Sequence, residues 1–150
     1  VWNMFDFACP MWERGGVPAR NMKGLVTFDR KIKKDSYFWY KANWSKDPVL
    51  YLTQRRNTER EKKVTSVTIY SNIGTPKVYL NGQELNGIRK GYTDVHYVFD
   101  EVTLNNGKNT LTAIVRYKGK EYKDEIEWNY TGEKKREADS YVNKSVHAGW

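Results

Sequence analysis

From Val49 to Thr131 apolar side chains recur at every second position, in short runs separated by turn residues. A chain patterned in this way folds as half-buried β-strands and little else, because successive strand side chains point to opposite faces of a sheet. "VLYLT", beginning at Val49, is the first candidate strand. "VTSVTIYS" places Val67, Ile69 and Ser71 on one face, opposite Thr68 and Tyr70. "PKVYLNGQEL" points Val78 and Leu80 inward and turns at Asn81-Gly82, a dipeptide that marks a tight hairpin. "VHYVFDEVTL" is a further strand, bent near Asp100-Glu101, and Asn105-Asn106-Gly107 turns the chain after it. "NTLTAIVRY" shares one face among Leu111, Ala113, Val115 and Tyr117. After a turn at Lys118-Gly119, "KEYKDEIEWNY" aligns Tyr122, Ile126, Trp128 and Tyr130. Asp124 breaks that last face, which predicts a sheet end or edge there. About seven short strands with regular turns predict a mainly β fold, an immunoglobulin-like β-sandwich. The Cys pair of antibody domains is absent, so the likeness is architectural.

The preceding residues have another character. "VWNMFDF", opening at Val1, is too short for a helix and too continuously apolar for a half-exposed strand. Such a run suits a strand covered on both faces, as in a parallel sheet. The loop "ERGGVPARNMKG" follows, and then a segment that reads as a helix from about Lys33 to Trp44. Tyr37, Tyr40 and Trp44 fall on one face of it, and Phe38 and Trp39 widen that face, so heavy burial is expected. Pro48 ends the helix. Strand, loop and helix make half of a repeating βα pattern that cannot bury itself alone. These rings are expected to fold back on the sandwich, pair between chains or stay disordered.

Charge and cysteine content narrow the function. Net charge is +8, but acids are interleaved with the 26 Lys and Arg nearly everywhere, which argues against the concentrated basic footprint of a nucleic-acid binder. A mean hydropathy of -0.85 and the lack of a long apolar run predict no membrane-spanning helix. Cys9 is the single cysteine, so no internal disulfide and no Cys-based metal site forms. The two histidines, His96 and His147, are too far apart for a short-range ligand motif, and neither a cofactor nor a metal is expected. Asp6, the one acid inside an apolar run, reads either as a site carboxylate or, preferably, as a carboxylate paired with loop amides or a cation. No Ser/His/Asp set is evident, and "ERGG" lacks the Lys-Ser/Thr that completes a phosphate loop.

"VWNMFDF" followed by "RNMKGLVTFDRKIKKDSYFWYKANW" closely resembles the end of the catalytic barrel in glycoside hydrolase family 2, most strongly its bacterial β-galactosidase-type members. The resemblance covers residues 1 to about 45, and residues 49 to 131 look like the immunoglobulin-like domain that follows the barrel in many such enzymes. It implies a (β/α)8 TIM barrel of which "VWNMFDF" is the eighth strand and "KKDSYFWYKANW" the eighth helix. It also implies a retaining mechanism with one Glu as acid/base and another as nucleophile. Both come from earlier strands and have no counterpart here, so the fragment alone is expected to be inactive.

Three substrate-binding residues follow from the resemblance. Trp2 matches the strand-eight Trp that forms an aromatic wall against the sugar. Asn21 and Lys23, in "NMKG", match the Asn-x-Lys that holds the sugar carboxylate in β-glucuronidases of the family, a task suited to an ammonium and an amide. The best-known galactosidases carry a neutral amide at the position of Lys23.

The expected organisation is therefore 1–45 as the end of the barrel, 46–131 as the sandwich and 132–150 as a charged tail or linker. The expected function is that of the C-terminal portion of an enzyme hydrolysing terminal β-galactosides. A β-glucuronidase-type member is the alternative, and a non-catalytic carbohydrate-binding module with Tyr70, Tyr79, Tyr92 and Trp128 as a sugar platform is another. The expected partners are the β-glycoside substrate, the rest of the catalytic barrel and, as an option, a second copy in a homo-oligomer, with neither nucleic acid nor membrane. Residence in a bacterial periplasm or outside the cell would follow if the parent protein carries an export signal.

Overall fold

A computed structural model of the chain describes residues 3–9, 13–14 and 18–132. The expected tail, from 132 onward, lies outside the described residues except for Gly132. The elements in chain order are β1 (Phe7–Ala8), β2 (Glu13–Arg14), β3 (Arg20–Asn21), α1 (Asp35–Trp44), β4 (Leu50–Leu52), β5 (Glu59–Arg60), β6 (Val64–Ser71), β7 (Lys77–Leu80), β8 (Gln83–Glu84), β9 (Arg89–Lys90), β10 (His96–Thr103), β11 (Gly107–Tyr117) and β12 (Lys120–Tyr130). From β4 onward they form a four-stranded sheet, β4-β6-β10-β9, and a five-stranded sheet, β5-β12-β11-β7-β8. The strands β1, β3 and β2 make a small separate sheet.

The alternation along the strands builds the core between the two larger sheets. Val67 and Ile69 of β6, Tyr97 and Phe99 of β10, Val78 of β7, Leu111 and Ala113 of β11, and Ile126, Trp128 and Tyr130 of β12 are all buried in one cluster. Both tight hairpins have the backbone their residues predict. Asn81 and Gly82 have φ of 51° and 83°, and Lys118 and Gly119 have φ of 49° and 76°. Two successive positive φ values match the right-handed twist of the flanking strands.

The bend expected near Asp100-Glu101 is a β-bulge. The β10–β6 register shifts between Phe99, which faces Val67, and Val102, which faces Thr65. Strict alternation after Phe99 would turn Glu101 and Thr103 into the core. The extra residue reverses the phase, so Val102 and Leu104 are buried instead.

Asp124 sits on the inward face of β12 where the sheet has an open edge, because β5 joins β12 only at Asn129 and Tyr130. Its carboxylate accepts the Leu52 N–H at 2.7 Å and meets the Arg55 guanidinium at 2.5 Å. A polar residue on an apolar face thus ties one sheet to the end strand of the other.

The first segment departs from expectation. Instead of one continuous covered strand over "VWNMFDF", only Phe7–Ala8 is a strand among residues 3–9, and it pairs antiparallel with β3. A parallel bridge joins Phe5 to Val26. Met4, Phe5 and Phe7 are exposed. A strand built for neighbours on both edges pairs here with the return of its own loop. Two short strands consequently replace part of the loop read from Glu13 to Gly24.

The helix is where expected, two residues shorter at its start, but its buried face is another one. Phe38 and Ala42 pack against Val49, Tyr51, Tyr70 and Val95. Tyr37, Tyr40 and Trp44 are not buried together, and Trp44 is 72% exposed. The aromatic residues are split between two sides of α1, and the sandwich occupies only one.

The Asp124 contacts generate a stability test. Asp124→Ala leaves the buried Leu52 N–H without an acceptor and is expected to lower unfolding free energy by about 1–3 kcal/mol. Glu125→Ala, one residue along on the solvent face, should change it by less than about 0.5 kcal/mol. Urea denaturation of both variants checks the difference, and equal losses would remove the inter-sheet role given to Asp124.

Candidate functional site

The loop carrying Asn21 and Lys23 is built on the N-terminal segment by backbone pairing. The Asp6 N–H donates to the Val26 carbonyl at 2.9 Å, the Val26 N–H to the Met4 carbonyl at 2.9 Å, and the Cys9 N–H to the Ala19 carbonyl at 3.0 Å. Gly24 lies so close beneath this segment that a Cβ there would fall 2.1 Å from the Asp6 nitrogen and the Phe5 carbonyl carbon. Only glycine fits that approach.

A buried ion pair clamps the same loop from inside. The Asp6 carboxylate accepts the Lys34 ammonium at 2.6 Å and the Gly24 N–H at 2.9 Å, both on Oδ1. Lys34 also donates to the Met22 carbonyl at 2.8 Å. Asp6 is therefore a paired structural carboxylate, with a lysine and a loop amide as its partners. Its Oδ2 is buried and has no hydrogen-bond partner among the described residues.

Within the clamped loop, Asn21 and Lys23 are brought together. Asn21 is 7% exposed, and its Oδ1 accepts the Lys23 N–H at 3.1 Å. This side-chain-to-backbone bond two residues along bends the loop as an Asx-turn does. The Lys23 side chain is exposed, and no acceptor meets its ammonium among the described residues. Trp2, the third expected substrate contact, lies outside the described residues. Beside this loop runs an open groove of about 570 Å³, lined by Met4, Leu25, Tyr37, Tyr40 and Trp44, with Lys41 at its side.

A second cluster lies on the outer face of the four-stranded sheet. The candidate sugar platform does not assemble: Trp128 is 1% exposed, within the core. Tyr70 and Tyr92, however, both lie against His96, with ring centroids 5.6 Å from it in each case. The His96 Nδ1 accepts the Tyr92 N–H at 3.0 Å. Burial first, and the nearby Arg89 charge second, hold the imidazole below its usual value. A lone histidine in a strand carries no motif, and the meeting of His96 with Tyr92 depends on the turn that precedes β10.

Two tests follow from these contacts. Lys34→Met strands a buried carboxylate and should weaken the clamp by about 3–5 kcal/mol, read as faster hydrogen exchange at the Gly24 and Val26 amides. The double change Asp6→Asn with Lys34→Met should recover part of that protection. For His96, a folded value depressed below the unfolded one makes its contribution to stability complete above the unfolded value, about 6.5. That contribution is lost as pH falls from there through the folded value. Urea midpoints should drop on acidification across this window, and His96→Gln should flatten the drop.

Comparison with known proteins places this geometry in context. No family model matches the chain. A curated β-glucuronidase from Bacteroides fragilis is 36% identical over 131 residues, which cover 87% of this chain and 19% of that protein. A crystal structure of a Bacteroides fragilis protein provisionally named a β-galactosidase superposes with a TM-score of 0.87 at 80% identity, over 93% of this chain and 21% of the other. The crystal structure of an FMN-binding β-glucuronidase from Facaelibacterium prausnitzii L2-6 superposes with a TM-score of 0.71 at 42% identity, over 87% of this chain and 19% of the other. The chain thus spans about a fifth of the length of these relatives. Over most of its length it is homologous to a segment of glycoside hydrolases of the β-glucuronidase and β-galactosidase type.

Proposed function

We propose that this chain is the C-terminal part of a retaining family 2 glycosidase that acts on β-glucuronides. Residues 1–45 supply the last strand and helix of its (β/α)8 barrel, residues 46–131 an immunoglobulin-like domain, and residues 132–150 a charged tail or linker. The observation that carries this reading is the Asn21–Lys23 loop. A buried amide and an exposed ammonium, which meets no acidic partner among the described residues, stand two residues apart on a loop clamped by Asp6 and Lys34. An exposed ammonium suits the carboxylate of a uronic acid. A neutral galactose hydroxymethyl group needs no such charge. The names of the curated relatives support the same sugar.

The rest of the barrel is the partner the groove implies. Met4, Leu25, Tyr37 and Trp44 present an apolar surface beside α1, and Tyr40 stands between that groove and the outer face of the sandwich. A barrel helix has this division, with one side on its own domain and the other free for the next. Trp2 would then form a wall of the sugar site. The two catalytic Glu residues would come from earlier strands, so this chain alone would bind but not cleave.

A β-galactoside is the second reading, favoured by the name of the Bacteroides fragilis protein with 80% identity. The two are separated in the longer protein that contains the remaining barrel. Lys23→Ala should lower kcat/KM for 4-nitrophenyl glucuronide by about 100-fold, the size of one lost hydrogen bond to a charged group. Activity on 4-nitrophenyl galactoside should be little changed. Equal losses on the two substrates would make Lys23 a loop brace and discard the glucuronide. Hydrolysis by the 150-residue chain alone would discard the barrel assignment.

A further inference from the structure

An unbroken series of rings crosses the outer face of the four-stranded sheet. Phe38 of α1 stacks on Tyr51 at 3.8 Å and 10°, Tyr51 is parallel to Tyr70 at 6.4 Å and 11°, Tyr70 meets His96 edge-on at 5.6 Å, and His96 meets Tyr92 at 5.6 Å and 31°. The helix covers the beginning of the series. The end is open, and Tyr92 is 94% exposed. A large ring held that far into solvent is anchored all the same. Its backbone N–H donates to His96 Nδ1, and the Gly91 N–H donates to the His96 carbonyl at 2.8 Å. A Cβ on Gly91 would fall 2.2 Å from the imidazole, so the turn is wrapped tightly over His96.

Two shallow hollows adjoin here and share Tyr92 and His96. One, of about 330 Å³, is walled by Trp39, Tyr40 and Tyr70. The other, of about 390 Å³, has Ser66, Thr68 and Val98 as its floor and Arg89 and Asp100 at its rim. Arg89 donates to both oxygens of Asp100, through Nε and Nη2, at 2.5 Å each.

We infer that this trough is a second carbohydrate site, separate from the Asn21–Lys23 loop, and that it takes a neutral pyranose of an oligosaccharide. The apolar C–H face of a pyranose ring packs on an aromatic face such as that of Tyr92, and the ring edge presents adjacent hydroxyls. Each hydroxyl both donates and accepts. An exposed Arg–Asp pair offers both functions side by side, with guanidinium donors and carboxylate lone pairs left over from the ion pair. Because His96 accepts on Nδ1, its neutral ring carries the proton on Nε2, a further donor with no partner among the described residues. Asp100 opposes an anionic ligand at the position where Arg89 would otherwise attract one, and this selects the neutral sugar. The inference is independent of the glucuronidase reading, since it uses none of that loop's residues.

Titration of the 150-residue chain with cellotetraose and β-1,4-galactotetraose, followed by amide chemical shifts, tests it. Shifts are expected at Thr68, at Arg89 through Asp94 and at His96, with at least one neutral tetrasaccharide. Tyr92→Ala should weaken binding about tenfold, as the loss of one aromatic contact does, and Tyr92→Phe should not. The fold tolerates both changes because the ring is exposed. A hyaluronan tetrasaccharide serves as the charged comparator. No shifts with any probe, shifts unaffected by Tyr92→Ala, or binding confined to hyaluronan and abolished by salt would each overturn the inference.

Discussion

Phe38 lies flat on Tyr51, and this stack, with Ala42 packed on Val49 beside it, seats the helix against the sandwich. The stack is reinforced at the start of the helix. The Asp35 carboxylate accepts the Tyr51 hydroxyl at 2.7 Å through one oxygen and the Gln54 N–H at 2.7 Å through the other. Burial and the Asp35 charge push the Tyr51 phenol well above its usual value, so it remains a hydrogen-bond donor throughout the physiological range. Arg55 lies over the other contact surface of Tyr51, 4.1 Å from the ring centre, and then reaches Asp124. One tyrosine therefore links the helix, the end strand β4 and the inter-sheet carboxylate.

Among the described residues, the N-terminal segment meets this unit through the helix, and its own order rests on different forces. Backbone pairing of residues 4–9 with 19–26 sets the outline, and the Asp6–Lys34 pair locks it from within. Lys34 immediately precedes α1, so the cation that holds the Asn21–Lys23 loop is positioned by the same helix that stacks on Tyr51. The polar loop and the apolar groove of Met4, Leu25 and Trp44 are thus held on one rigid support. That arrangement presents an exposed ammonium on one side and an apolar surface on the other.

Local pattern made the sandwich legible. Period-two alternation, Asn81-Gly82 and Lys118-Gly119 each act over a few residues, and the strands and hairpins follow them closely. The bulge was visible too, as two acids interrupting an apolar run. The polar staples were not. Asn109 is fully buried, donates to the Asn105 and Gly107 carbonyls at 2.8 and 2.9 Å, and receives the Asn81 amide at 3.1 Å. This unites two turns 28 residues apart, and an asparagine in an alternating strand carries no sign of such a partner. Which side of the helix is buried was likewise beyond the pattern, because rings surround most of its circumference and the choice among them belongs to the surface it meets.

For the site, the residues of "NMKG" marked the loop, and Asp6 could be read as a paired carboxylate, since a buried charge must find a counterion. That the counterion is Lys34, and that Gly24 must be glycine to pass beneath Asp6, required the fold. So did the ring series ending at Tyr92, whose members come from a helix, three strands and a turn. By itself the sequence determined strand alternation, turn types and the division of character near Pro48, all of which are set by steric and solvation preferences of adjacent residues. The tertiary structure alone decided which charges meet, which aromatic faces are covered and which remain open. Those are properties of surfaces brought together by folding, and no spacing along the chain encodes them.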